Sequence, residues 1–308
     1  MYGSDKRVDT KKSLLADFSL FLVAIIWGGG FIFMKDSLHI LKPFYMNGIR
    51  FTLAFVTMTI IFWKRFIKIT KKDFISGTIV GIFLFLAFII QTIGLQYTTA
   101  SKSAFLTGTN VVIVPFLVWG MTRRIPSWHA MIGAFLTAIG IGLLTLQGSL
   151  HIGIGDSLTL ICAVLFAVHI TLVGHFAEDM DPITLAMIQI GVTGVFSLIG
   201  AFIFEPAPVF EGNLRDITIA IGYMTFVSTM GALLIQNVAQ KYTPSTHAAI
   251  ILSLEAVFGT IFGIIFLGDL LTSKMILGCL LIFCAIIITE TKLSFIFTHK
   301  KENNETMR

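Results

Sequence analysis

Apolar runs of roughly 20 residues alternate along this chain with short polar connections, and a helix needs about 20 such residues to cross hydrocarbon. The runs 14–34, 44–62, 74–95, 103–121, 127–146, 157–175, 183–204, 217–239, 245–267 and 273–290 therefore predict ten transmembrane helices. The connections carry turn and helix-start signals: Lys42-Pro43, Ile125-Pro126-Ser127, Asp181-Pro182, Thr243-Pro244-Ser245 and Gly268-Asp269. None of them has room for a soluble domain.

The pattern occurs twice. Shifted by about 145 positions, FIIQTIGLQYTTASKSAFL from Phe88 falls on LLIQNVAQKYTPSTHAAII from Leu233 without a gap. Gln91 meets Gln236, Tyr97 meets Tyr242, Thr98 meets Thr243 and Gly133 meets Gly278. A shift of about 139 aligns the earlier parts, Asp17 with Asp156 and Pro43 with Pro182. Each copy holds an odd number of spans, so the copies must insert in opposite orientations. The expected fold is an all-α integral membrane protein, ten transmembrane helices forming two inverted five-helix repeats, 14–146 and 156–290. Residues 1–13 and 291–308 are read as cytoplasmic tails. Inverted repeats are the mark of secondary transporters.

Composition agrees with a membrane location. Charged residues make up 13% of the 308 and mean hydropathy is +0.89, where soluble domains carry about a quarter charged. The net charge of +5 is read as topology, not nucleic-acid binding. With the N-terminus in the cytoplasm, 16 of the 22 Lys and Arg fall on that side, 5 on the other, and Arg50 within a span. Both termini are expected in the cytoplasm, in a multi-pass protein of the plasma (inner) membrane. The acidic stretch Glu178-Asp179-Met180-Asp181 lies on the same side without a positive neighbour. The first apolar run contains Asp17, continues past Trp27-Gly28-Gly29-Gly30 and lacks a small-x-small site, so it reads as a retained span. Cys162, Cys279 and Cys284 sit within apolar runs as packing residues.

Ionisable groups inside spans are costly and mark function by default. Glu255 lies about ten residues into the ninth span, near the bilayer midplane at about 1.5 Å per residue. Its repeat partner is Asn110. Glu255 is read as binding a cationic group or a coupling proton, against a structural carboxyl bonded to neighbouring helices. Arg50, whose repeat partner is Gln189, either clamps a carboxylate or phosphate, pairs with Glu255, or locks helices through a backbone carbonyl. Gln91 and Gln236 occupy equivalent positions, and amides in lipid need partners. They point to a helix contact or to a cavity. His169 is a relay candidate or a hydrogen-bonded core histidine. Trp27, Trp119, Tyr97 and Tyr223 either stack on a solute or anchor at the interface, with Trp27 set beside three glycines. Gly77-x-x-x-Gly81 and Gly259-x-x-x-Gly263 have the spacing of tight helix contacts; monomer and homodimer both stay open. Pro115 predicts a kink in the fourth span beyond Asn110.

No phosphate loop for ATP, no HExxH, no metal-spaced cluster of His and acidic residues and no nucleophile with an adjacent base is present. No cofactor, metal or catalytic residue is expected.

Trp27-Gly28, Phe31 and Lys35, then Pro43 with Arg50-Phe51, then Tyr242-Thr243 through Ser253-Leu254-Glu255-Ala256-Val257 to Leu267-Gly268-Asp269 form an ordered series. It resembles the ten-helix EamA-type branch of the drug/metabolite transporter superfamily, over about residues 14–290. Ala256 stands where that pattern has proline, and Asp269 where it has glutamate. The resemblance implies a carrier of amino acids, other metabolites or drugs, often an exporter. Spans one to four and six to nine would surround a cavity, with five and ten peripheral, and Trp27, Arg50, Asn110 and Glu255 would match its wall. The expected partner is a small organic solute, amphipathic and zwitterionic or an apolar cation. Uptake, lipid flipping, intramembrane catalysis and a channel are the rival readings.

Overall fold

The computed structural model describes residues 10–38, 40–123, 125–145, 153–208, 214–267 and 272–291. The first nine residues, the Gly268-Asp269 turn and everything from Lys292 lie outside the described residues. Every regular element described is helical, as expected where hydrocarbon leaves peptide groups no partner but each other. In order these are α1 (Thr10–Ser37), α2 (Pro43–Ile61), α3 (Trp63–Phe66), α4 (Lys71–Gln96), α5 (Ala100–Gly108), α6 (Asn110–Thr122) and α7 (Trp128–Thr145). There follow α8 (Ile154–Ala177), α9 (Pro182–Phe204), α10 (Leu214–Gly222), a π-helical segment Tyr223–Gly231, and α11 (Ala232–Ala239). The chain ends with α12 (Ser245–Leu252), α13 (Glu255–Phe262), a second π-helical segment Gly263–Leu267, and α14 (Ser273–Thr291).

Eight stretches, the first Lys11–Lys35 and the last Ser245–Phe266, are long and apolar enough to cross a membrane. The fifth and tenth expected spans, 127–146 and 273–290, correspond to the apolar helices α7 and α14, of 18 and 19 residues. The expected single helices 103–121, 217–239 and 245–267 are each built from more than one element.

Helix starts follow their local chemistry. Pro43 and Pro182 occupy first turns, where a missing N–H costs nothing. Asp181 accepts from Thr184 N at 3.0 Å, and Thr70 and Asp73 cap α4 reciprocally. The start of α2 is capped from elsewhere: Phe44 N and Tyr45 N each donate to the Glu205 carboxylate at 2.9 Å. A carboxylate there satisfies orphan amides and favours the positive end of the helix dipole. The acidic loop before α9 finds its cation in α3, where Arg65 Nε lies 3.2 Å from Asp181 Oδ2.

Glycine contacts give the helix directions. Gly48, Gly194 and Gly191 pack on Leu198, Thr52 and Phe55, so α2 and α9 run antiparallel. Gly77 and Gly81 meet Ile188 and Val192, so α4 and α9 run parallel. Gly94 meets Gly155 and Thr159 where α4 crosses α8 in the opposite sense. Gly133 and Gly140 admit Ala285 and Gly278 between antiparallel α7 and α14. Small residues let backbones approach where lipid supplies no hydrophobic drive between helices. The Gly77/Gly81 spacing is thus used within the chain.

A β-carbon at Gly81 would lie 2.7 Å from Val192 Cβ, whereas nothing lies within 4 Å of one at Gly120. Gly81→Leu should lower stability by about 1–3 kcal/mol, and Gly120→Ala should be neutral or raise it by up to about 1 kcal/mol. Thermal melting of the detergent-solubilised protein, followed by tryptophan fluorescence, measures both.

Candidate functional site: a central cavity

Helices α1, α2, α4, α8, α11 and the two broken spans surround a cavity of about 700 Å³ of empty space, its mouth included. Its wall is mainly aromatic and aliphatic, with few polar groups, the usual make-up of a small-molecule site. Positions related by the repeat offset enter the wall together: Trp27 with Phe166, Phe31 with Ile170, Gln91 with Gln236, and Asn110 with Glu255. Met34, Leu95 and Met224 extend the space toward the Lys35 end of α1.

Two broken spans supply the central polar groups. α5 stops at Gly108 and α6 begins at Asn110; α12 stops at Leu252 and α13 begins at Glu255. In each break a hydroxyl folds back on the carbonyl three residues earlier. Thr109 Oγ1 donates to Leu106 O and Ser253 Oγ to Ile250 O, both at 2.6 Å. Backbone amides there also bond three residues back, Thr109 N to Leu106 O and Leu254 N to Ile251 O, a tighter turn set inside the helix. Neither break needs proline. Pro115, where a kink is expected, lies within α6, and the same span is interrupted before it at Thr109. Ala256, where a proline would be usual, follows a break that Ser253 makes.

The charges are buried and apart. Glu255 is 6% exposed and Arg50 1%, and they are not ion-paired, contrary to one expectation for Arg50. The Arg50 guanidinium lies between the Phe51 and Phe88 rings, 4.8 and 4.6 Å from their centroids, a stabilising arrangement for a cation. Among the described residues its Nε and Nη2 have no hydrogen-bond partner, nor do Asn110 Oδ1 or either amide atom of Gln236. Buried groups in this state cost about 1–3 kcal/mol each, and a bound solute that satisfies them recovers it.

Other polar residues are committed to the protein. Gln91 Nε2 donates to Thr107 Oγ1 at 3.0 Å. His169 Nε2 and Gln189 Oε1 share a bond of 2.7 Å, Gln189 Nε2 donates to Asn237 Oδ1 at 2.8 Å, and Asn237 Nδ2 to Leu233 O at 2.7 Å. This chain braces α8, α9 and α11 behind the cavity. Trp27, Arg50, Gln91, Asn110, His169, Gln236 and Glu255 thus line one space, while Gln189 stands behind His169. Trp119 and Tyr97 are exposed, and Tyr223 donates to Ile26 O. Among the described residues no group of His, Cys, Asp and Glu could hold a metal.

Three features went unread in the sequence. Lys35 Nζ donates to the carbonyls of Leu95 and Thr98 at 2.6 and 2.8 Å. Thr98 bonds Asp156, and Thr243 bonds Asp17. The repeat alignment already paired these threonines and these aspartates, so the signal was present. The π-helical segment that brings Met224 and Ser228 to the wall has no sequence signal.

Residues 14–146 and 153–291 each match the model of the EamA-like transporter family. The chain belongs to this family. EamA proteins are a branch of the drug/metabolite transporter superfamily, and this one is a membrane transporter. It is 35% identical to an uncharacterized transporter of Archaeoglobus fulgidus, over 91% of this chain and 87% of that one. It is 22% identical to an S-adenosylmethionine/S-adenosylhomocysteine transporter of Chlamydia muridarum, over 87% and 92% of the two chains. A solved crystal structure of 14% identity has the same fold, with a TM-score of 0.75 over 93% of this chain and 99% of that one.

Trp27 is the tryptophan in the cavity wall of this EamA protein, while Trp63, Trp119 and Trp128 are exposed. Solute entry should therefore change the intrinsic fluorescence of the parent protein and leave that of Trp27→Phe unchanged, as a titration in detergent would read.

Proposed function

We propose that this EamA protein is a secondary-active carrier of a small, bipolar organic solute, working by alternating access. One observation carries the reading: an apolar cavity holds a buried arginine and a buried glutamate that are not paired with each other, and the guanidinium keeps Nε and Nη2 without a hydrogen-bond partner among the described residues. A solute with a carboxylate for Arg50 and an ammonium or sulfonium for Glu255 satisfies both. A plain apolar cation leaves Arg50 uncompensated, so the zwitterion is favoured over it. The apolar wall takes the rest of the molecule. S-adenosylmethionine and S-adenosylhomocysteine, named for the chlamydial relatives, have this amino-acid head; the present cavity supports the head and leaves the tail to Trp27, Phe31 and Phe166.

The architecture within this reading is ten spans in two inverted five-helix repeats, 14–146 and 156–290. The antiparallel course of α2 and α9, which are repeat-related, supports it. So does the antiparallel pair α7 and α14. Both termini lie in the cytoplasm of a plasma (inner) membrane, and the direction is export. Glu255, at the seam of a broken span, is the group that couples proton movement to the solute.

Three outcomes follow, the first two in proteoliposomes. Uptake of labelled zwitterions should respond to an imposed pH gradient, and Glu255→Gln should remove that response; coupling that survives in the mutant removes the proton role. Arg50→Gln should weaken a zwitterion by about 10- to 150-fold, the loss of a charge-assisted bond of about 1.5–3 kcal/mol, while leaving the corresponding amine nearly unchanged. In cells, a reporter fused to the C-terminus should be active only on the cytoplasmic side.

A further inference from the structure

Two hydrogen bonds of equal length sit at equivalent places in the repeat. Thr98 Oγ1 donates to Asp156 Oδ1 at 2.6 Å, joining the chain just past α4 to the first turn of α8. Thr243 Oγ1 donates to Asp17 Oδ1 at 2.6 Å, joining the chain past α11 to α1. In both, the aspartate follows a small residue at a helix crossing. Gly155 precedes Asp156 and packs on Gly94; Ala16 precedes Asp17 and shares a buried cluster with Ala239. The same offsets relate Gly94 to Ala239 and Ala16 to Gly155.

Helix α1 fixes the two bonds at opposite ends of the molecule. Its Asp17 reaches Thr243, and its Lys35, about 27 Å further along at about 1.5 Å per residue, reaches the carbonyls of Leu95 and Thr98. Trp27 and Met34 of the cavity wall lie between them. The ends differ in a third contact. At the repeat equivalent of Lys35 stands Gly174, whose backbone lies against Ser245, and Gln240 Nε2 and Ser245 Oγ both donate to Ile170 O, at 2.9 and 3.4 Å. At one end a glycine lets the helices pack directly, at the other a lysine reaches across, and the cavity extends toward the lysine.

We propose that Thr98–Asp156 and Thr243–Asp17 are matched clasps, positioning residues that decide which end of the carrier opens. Each bond holds its own end shut, and the transport cycle releases one while the other stays made. The inference takes its meaning from the carrier reading but is tested without a solute. Ser228 lines the cavity, so Ser228→Cys, with Cys162, Cys279 and Cys284 replaced by alanine, reports access to it. A membrane-impermeant maleimide is added from either side of sealed vesicles. Thr98→Val should raise labelling about tenfold from one side only, and Thr243→Val by a similar factor from the other side only, as expected for losing one bond to a carboxylate. Thr98→Ser and Thr243→Ser keep the hydroxyl and should label at the parent rate. Asp156→Asn, which weakens the bond from Thr98 and also removes the 3.4 Å ion pair with Lys102, and Asp17→Asn give shifts in the same directions and stand in for a valine variant that does not fold. Release toward the same side by both valine variants, or unchanged labelling in variants that keep the parent melting temperature, overturns the proposal. Solute uptake by the parent, measured on the same preparation, judges the carrier reading separately: labelling shifts without uptake keep the clasps and remove the carrier.

Discussion

A peptide group within hydrocarbon has no water to bond, and this constraint governs the rest of the structure. It makes helices of the apolar runs. It also restricts where a helix may stop inside the bilayer. The two mid-span breaks are tolerated because Thr109 and Ser253 return a hydroxyl to the carbonyls left behind, and because both breaks face the cavity rather than lipid. Asn110 and Glu255 stand where they do as a result: each is the first residue after a break, on a backbone that has turned toward the interior.

Glycine does the corresponding work between helices. Gly81 seats α4 on α9, Gly94 and Gly155 cross α4 with α8, and Gly140 seats α7 on α14. Close backbone approach at these points fixes the helices around the cavity without filling it. Gly28 belongs to the same set, fitted against Phe258 and the Glu255 carbonyl, whereas Gly30 opens onto the cavity. The three consecutive glycines of α1 therefore serve packing on one face and space on another.

Much of this was legible in the chain. Run lengths gave the helical membrane class, and the internal repeat pointed to Glu255 and Asn110 as facing polar groups. Depth alone marked Arg50. Other features were hidden for physical reasons. The breaks depend on which carbonyl a hydroxyl selects, and Ser253 looks like any helical serine in sequence. Pro115 marked a kink in the fourth span, while the interruption at Thr109, a turn and more earlier, carried no mark of its own. Gln189 differs from its partner Arg50 by burial behind His169, a distinction that only the third dimension makes.

Glu205 offers a last consequence. By holding the first amides of α2 it fastens that helix to the end of α9, and glycine contacts continue the fastening along its length. Arg50 thus rides on a stiff two-helix beam, while Glu255 sits at the joint of a divided one.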